Sequence, residues 1–349
     1  MAERFHIGEW YGRPFLSLTD RERAEMSAHK VGTATIKKAD IARLAFLEAK
    51  AAKAALTTIE TGRLHKLRGL LERQRTQERA CPFRVNTPHA TCTKPGGVCS
   101  LQLYTDQNGG VEPVAGDKGM LRALCPYRFH QTNTVFQHIG ERLLGDPNPE
   151  LAGEVGFLES TGNLDSAEGE DVGRIDMILV KSNAPDSQPM QWAAVEIQAV
   201  YFSGREMSIE FRHIAETKGA VSMAREGRRP DYRSSGPKRL MPQLQIKVPT
   251  LRRWGKKMAI VVDVPFFQSM GSMQPVPHVS NADIVWFLVD FVDQGGADEK
   301  VLTVVREVYT TLESSIEGLT GGTAVSLNEF EARIKSKTEA QQVVRRALS

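Results

Sequence analysis

Two short runs carry the clearest alternation of apolar and polar positions in the chain. Arg174-Ile-Asp-Met-Ile-Leu-Val180 and Trp192-Ala-Ala-Val-Glu-Ile-Gln198 are apolar and rich in β-branched residues, and a turn-forming stretch, 183–189, separates them. They are expected to form two paired strands. Side chains alternate faces along a strand, so Glu196 and Gln198 leave one face while Val195 and Ile197 leave the other. Met258 to Val264 and Ile284 to Phe291 read as two further buried strands.

Elsewhere the period is helical. Ile41, Leu44, Leu47, Ala51 and Ala54 mark a helix from Thr35 to about Thr61, with Thr35 or Asp40 as its N-cap. Gly62 is expected to end it, and a second helix continues to about Arg79 with Leu64, Leu67, Leu70 and Leu71 inside. Further helices are expected over 132–144, around Phe211 to Val221, over about 298–312, and over 326–348. The last begins with a capping box, Ser326 and Glu329. Residues 1–35, with Phe5, Trp10, Tyr11, Phe15 and Leu16 among polar neighbours, read as a short packed arm. Strands mixed with helices in this way define an α/β (α+β) chain.

Asp176 changes the picture, because a lone carboxylate in a buried-looking run is costly unless it is paired or binds a cation. Asp176 and Glu196 converging on one face, with Gln198 two positions on, make a hard-oxygen pocket suited to Mg²⁺. Such an ion clamps a phosphate oxygen and acidifies a water. The plainer reading is a strand-edge Asp176 and a Glu196 paired with a nearby Arg. The arrangement resembles the PD-(D/E)xK nuclease core, with Gln198 where lysine usually stands. Glutamine can orient a water or phosphate by hydrogen bonds but carries no charge, and a nearby cation, Lys218 or Lys181, could replace the missing lysine.

Length and composition bound the rest. The 349 residues allow two domains or one with large additions, and 41% hydrophobic with 25% charged residues is ordinary globular composition. With 45 Lys+Arg against 42 Asp+Glu the net charge is only +3, so a nucleic-acid surface must come from local segregation of charge. No signal-peptide core and no membrane-length apolar run is present, which points to the cytoplasm and to reduced thiols.

All four cysteines fall in one segment with the spacing C-x10-C-x6-C-x25-C: Cys81, Cys92, Cys99 and Cys125. Two are followed by proline, and glycines bend the chain between them, along with His89, Lys94, Arg122, Arg128 and His130. This favours a closed, structural Cys₄ site over buried free thiols, with Zn²⁺ and iron both open. The chain divides accordingly into an arm and basic helical hairpin (1–80), a Cys₄ module (81–130) and a core with C-terminal helices (131–349).

Cations concentrate again after the central strands. Arg225, Arg228, Arg229, Arg233, Lys238, Arg239, Lys247, Arg252 and Arg253 lie in one stretch beside the acidic pocket and are the expected DNA-binding residues. The hairpin is also basic, as a solvated face, a phosphate-tracking arm or a dimerisation element.

Taken together the chain resembles the NotI-type restriction endonucleases. The resemblance rests on Cys81-Pro-Phe, Gly97-Val-Cys99, Cys125-Pro-x-Arg128, Gly153-Glu154, Asp176 and Val195-Glu-Ile-Gln198 with Phe202-Ser-Gly204, and covers about residues 75 to 265. It implies a mixed central sheet flanked by helices, the restriction-endonuclease-like core, with a helical N-terminal region and a Cys₄ insertion. It implies an iron site at the four cysteines and a catalytic set of Glu154, Asp176, Glu196 and Gln198. It further implies Mg²⁺-dependent cleavage, by a homodimer, of a palindromic GC-rich site in double-stranded DNA. A protective DNA methyltransferase is expected as a functional companion, not as a subunit. The rival readings are a non-catalytic DNA-binding protein built on the Cys₄ module and, less favoured, an iron-thiolate redox protein.

Overall fold

The computed structural model describes residues 3–28, 38–77, 79–84, 91–92, 94–107, 110–162, 169–182, 189–293, 300–321 and 325–347. Thr35 as a helix cap, His89 beside the cysteines and most of the turn 183–189 lie outside them.

The β-branched runs assemble into a six-stranded mixed sheet. Its order is Lys300–Thr310, Ile284–Asp293, Met258–Asp263, Trp192–Ile197, Asp171–Val180 and Glu150–Glu159. Met258–Asp263 runs parallel to both of its neighbours, and the other pairs are antiparallel. It is buried at every position, as a strand covered on both faces must be. On one face the Thr134–Leu144 helix packs Val135, Phe136 and Ile139 against Val195, Val261 and Phe287. On the other, Met241–Arg253 sets Leu244, Val248 and Leu251 against Ala194, Ile260 and Trp286, and Leu312–Thr320 adds Leu312 and Leu319. Each such valine, leucine, isoleucine or phenylalanine side chain contributes about 1.5–3 kcal/mol by leaving water.

The expected helix over 298–312 is corrected. Residues Lys300–Thr310 form the edge strand, paired antiparallel with Ile284–Asp293, and the helix begins only at Leu312. Val301, Thr303, Val304, Val305 and Val308 are β-branched and favour a pleated strand. Thr311 caps the helix, accepting the Ser314 N–H at 3.2 Å.

The hairpin breaks elsewhere than at Gly62. Its helices are Lys38–Ala51 and Thr58–Gln77, and Gly62 lies inside the second. A reciprocal capping box decides the start: the Glu60 N–H donates to Thr57 Oγ1 at 3.3 Å, and the Thr57 N–H to Glu60 Oε2 at 3.0 Å. A glycine inside a helix costs only about 1 kcal/mol, which capping and the Leu44, Leu47, Leu64, Leu67 core offset.

The N-terminal arm is a strand. Glu3–Trp10 pairs antiparallel with Val98–Gln107, Phe5 against Leu103 and Ile7 against Leu101, so it shares a sheet with the cysteine segment. Arg128 then ties three parts of the chain. Its buried guanidinium donates to both Glu9 carboxylate oxygens at 2.9–3.1 Å and to the Lys300 carbonyl at 2.7 Å. It lies between the rings of Phe83 and Phe291, 4.7 and 4.9 Å from their centroids.

Candidate active site

Strand register places the acids. Gly153 stands opposite Met177 and Val155 opposite Ile175, while Met177 stands opposite Val195. Continuing those ladders by one residue sets Glu154, Asp176 and Glu196 in a row across three adjacent strands. By alternation Asp176 and Glu196 share the sheet face of Ile178 and Ala194, the face covered by the Met241–Arg253 helix.

From that helix comes the residue that sequence reasoning missed. Lys247 lies on the stripe of Leu244, Val248 and Leu251 that faces the sheet. Its Nζ donates to Glu196 Oε2 at 2.5 Å and to Gln243 Oε1 at 3.2 Å, and stands 3.9 Å from Asp176 Oδ1. Two carboxylates thus converge on one ammonium. The side chains of Lys247 and Glu196 are 8% and 3% exposed, whereas that of Asp176 is 51% exposed and gives the pair its opening to solvent. Burial, then the neighbouring Asp176 charge, pushes Glu196 up to about 7, with Lys247 pulling the other way.

This corrects two expectations. Lys247, expected among the exposed cations of the basic stretch, is buried and ion-paired with Glu196 beside the acids. Lys218 is exposed just past the Ser208–Glu216 helix, and Lys181 follows the far end of its strand, so neither is the cation that approaches the acids. The signal for Lys247 was present in its helical spacing among leucines, but Pro242 and Pro249 disguised the helix. Proline is tolerated in the first turn, and Pro249 sits on the exposed side.

Glu154 is in the row, but its carboxylate pairs with Arg174 at 3.5 Å and is 75% exposed. Its φ of +40° is strained for a non-glycine residue. Gln198, one position past its strand, donates its backbone N–H to the Val261 carbonyl at 3.0 Å and its amide to the Ala199 carbonyl at 2.8 Å. It lines a cavity of about 330 Å³ with Tyr201 and Arg239 on one side and Lys94, Leu124 and Pro126 of the cysteine segment on the other.

The cysteines gather in one place. Cys81, Cys99 and Cys125 are buried, Cys92 is half-buried and none is in a disulfide. Cys81 and Cys99 pack around Phe83 with Cys92 and Tyr127 against them, and the Cys125 N–H reaches the Cys99 carbonyl at 3.2 Å. Burial pushes the Cys99 and Cys125 thiols up. Among the described residues, no three His, Cys, Asp or Glu side chains stand at metal-holding spacing. The donor chemistry fits all the same: four clustered thiols suit a soft or borderline ion, and the Asp176 and Glu196 oxygens suit a hard one.

Of the expected DNA-binding cations, Arg228 is also corrected. It is buried, donating to Glu210 Oε1 at 2.7 Å and to the Glu206 carbonyl at 2.9 Å. Arg225, Arg229, Arg233, Lys238, Arg239, Arg252 and Arg253 are exposed. Among them Arg252 is held by Asp283 and Glu313, and Arg239 lies 4.3 Å over the Tyr201 ring.

Paired acids on neighbouring strands, a buried ammonium beside them and exposed arginines nearby form a site whose chemistry can meet a divalent ion and a phosphate. Over residues 65–301, more than half of its length, the chain matches the family model described as restriction endonuclease NotI, and it belongs to that family. It is accordingly a site-specific deoxyribonuclease acting on double-stranded DNA. No individual curated protein matches it. No helix among the described residues is long and apolar enough to cross a membrane.

Proposed function

We propose that this chain is a type II restriction endonuclease that hydrolyses phosphodiester bonds with Mg²⁺ in a palindromic, GC-rich DNA site. The observation that carries the reading is the convergence of Asp176 and Glu196 on adjacent strands, one carboxylate open to solvent and the other buried. Asp176 and Glu196, with Glu154 beside them in the row, would hold Mg²⁺, which when bound would supply positive charge to the scissile phosphate and acidity to the attacking water. Gln198 orients that water by hydrogen bonds and neutralises no charge. The buried end of the pair excludes solvent, and half-exposed Asp176 faces the side from which DNA approaches. Restriction-endonuclease-like topology is supported by the mixed sheet with helices on both faces.

Exposed Arg229, Arg233, Lys238 and Arg239 support the DNA interface, because arginine matches the two acceptors on the major-groove edge of guanine. A homodimer places two such sites across a two-fold axis, as a palindrome requires. Cys81, Cys92, Cys99 and Cys125 would hold a structural iron, with zinc as the alternative, and such an ion would fix this loop-rich segment. The enzyme acts in the cytoplasm of a cell whose own sites a methyltransferase protects.

Incubation with plasmid DNA of mixed sequence and Mg²⁺, followed by end sequencing, tests the reading. Discrete fragments sharing one palindrome, lost on chelation, are expected. Intact plasmid under conditions where the protein binds DNA defeats it. Elemental analysis of the purified protein is expected to find about one iron or zinc per chain, as a closed site requires.

A further inference from the structure

We infer that Lys247 is the catalytic cation of this nuclease, supplying from the Met241–Arg253 helix the charge that Gln198 cannot supply from the strand. The inference rests on the phosphodiesterase reading above and assigns one more residue to the same site.

Packing is the first argument. Leu244, Val248 and Leu251 occupy the sheet-facing stripe of this helix, and each is fully or almost fully buried. An ammonium in that stripe is unfavourable unless something specific requires it, and an apolar side chain would serve the core better. Lys247 instead brings its ammonium to the acid pair, of which Asp176 alone is half open to solvent.

Its hydrogen bonds supply the second argument. An ammonium has three N–H donors. One goes to Glu196 at 2.5 Å and one to Gln243 at 3.2 Å. Asp176, at 3.9 Å, is too far for a hydrogen bond, so the third donor remains for a group arriving beside Asp176. Gln243, one helical turn before Lys247, fixes the direction of the stem. A lysine that served only to neutralise Glu196 has no need of this second anchor.

The chemistry needs a charge there. Water oxygen forms a bond to phosphorus, and the P–O3′ bond breaks. One water proton passes to the 3′ oxygen and the other to solvent, leaving a 3′-hydroxyl and a 5′-phosphate. Lys247 keeps its protons throughout and donates one hydrogen bond to the non-bridging phosphate oxygen, whose negative charge grows at the transition state.

Single-turnover cleavage across a Mg²⁺ titration tests this in four proteins: wild type, Lys247→Met, Lys247→Arg, and Lys247→Met combined with Gln198→Lys. For Lys247→Met the maximal rate is expected to fall about 10²–10³-fold. DNA affinity measured with Ca²⁺ should stay within about 3-fold of wild type, while the Mg²⁺ midpoint is free to move because Lys247 also contacts Glu196. Returning a lysine to the strand in the double variant is expected to recover about 10-fold or more of the lost rate. A maximal rate within about 3-fold of wild type in Lys247→Met, with only the Mg²⁺ midpoint moved, overturns the assignment, since the lysine is then only a counter-ion for Glu196. Should Lys247→Met not fold, Lys247→Gln, which keeps hydrogen-bond donors but no charge, takes its place with the same expected fall and the same overturning result, and Lys247→Arg, which keeps the charge, is expected to retain more rate than either. Binding without cleavage by the wild type itself fails the nuclease reading, a result distinct from failure in the variants alone.

Discussion

Asp263 Oδ2 accepts the backbone N–H of Ala123 at 2.8 Å while its Oδ1 accepts that of Phe266 at 2.9 Å. One buried carboxylate thereby pins the cysteine segment to the end of the central strand and caps the Val264–Gln268 helix. Burial pushes Asp263 from its ordinary 3.8 up to about 6, with the two backbone donors pulling the other way. Between about pH 4 and 6 the folded protein keeps a proton that the unfolded chain has released, so this group adds stability as pH falls through the window and withdraws it above. Buried His6, pushed down to about 4 by desolvation, acts in the opposite sense below its ordinary 6.5. A difference between two proteins cancels that contribution. Urea unfolding of wild type and Asp263→Asn is expected to show wild type gaining about 2 kcal/mol relative to the variant on going from about pH 7.5 to 4.5. Parallel pH profiles would sink the account.

Replacing the exposed acid of the pair removes a charge that contacts solvent and little of the core. Asp176→Asn is expected to cut DNA at least about 10³-fold more slowly while binding it within about 3-fold of wild type, as loss of a metal-holding carboxylate implies. Gel-resolved cleavage alongside a binding titration checks both halves, and wild-type cutting rates would remove Asp176 from the chemistry.

Neighbouring arginines should behave differently according to burial. Arg233→Ala, at an exposed position, is expected to reduce the salt dependence of DNA binding by about 0.9 in log–log slope and to leave stability alone. Arg228→Ala leaves the buried Glu210 carboxylate with only the Arg225 and Glu226 backbone N–H donors and should cost about 3–5 kcal/mol in denaturant unfolding. Equal effects of the two on unfolding would contradict the geometry.

Arg128 offers a mechanical prediction. Arg128→Met leaves Glu9 buried without a partner and frees the Lys300 carbonyl, for a loss of about 3–5 kcal/mol. Because Glu9 lies on the Glu3–Trp10 strand, limited proteolysis should then attack the N-terminal residues first. Unchanged protection there would argue against the clamp.

Gly62 tests the corrected hairpin. Nothing lies within 4 Å of a Cβ built at this helical position. Gly62→Ala should therefore raise the stability of the hairpin by about 0.5–1 kcal/mol, read as a shift in a helical circular-dichroism melt.

Local pattern explains what was legible. The β-branched runs around Asp176 and Glu196 announced adjacent strands, and alternation put both acids on one face, because that period is a property of a single strand. Ser326 and Glu329 announced the final helix, with the Glu329 N–H reaching Ser326 Oγ at 3.3 Å. The hairpin shows the limit of the same logic: Thr57 and Glu60 carry the identical signal, and their capping outweighs the glycine that follows.

The chain by itself therefore determined the strand pair, the shared face of its two acids, the clustering of four thiols in one segment and the family they point to, all encoded over a few adjacent residues or in a specific combination of motifs. Only tertiary structure decided that Lys247 meets Glu196, that Arg228 is spent on Glu210, that Arg128 joins the first strand to the last, and that Glu154 turns to Arg174. Which charges pair depends on which helix lies over which strand, and residues 51 positions apart, like Lys247 and Glu196, become neighbours only through that packing.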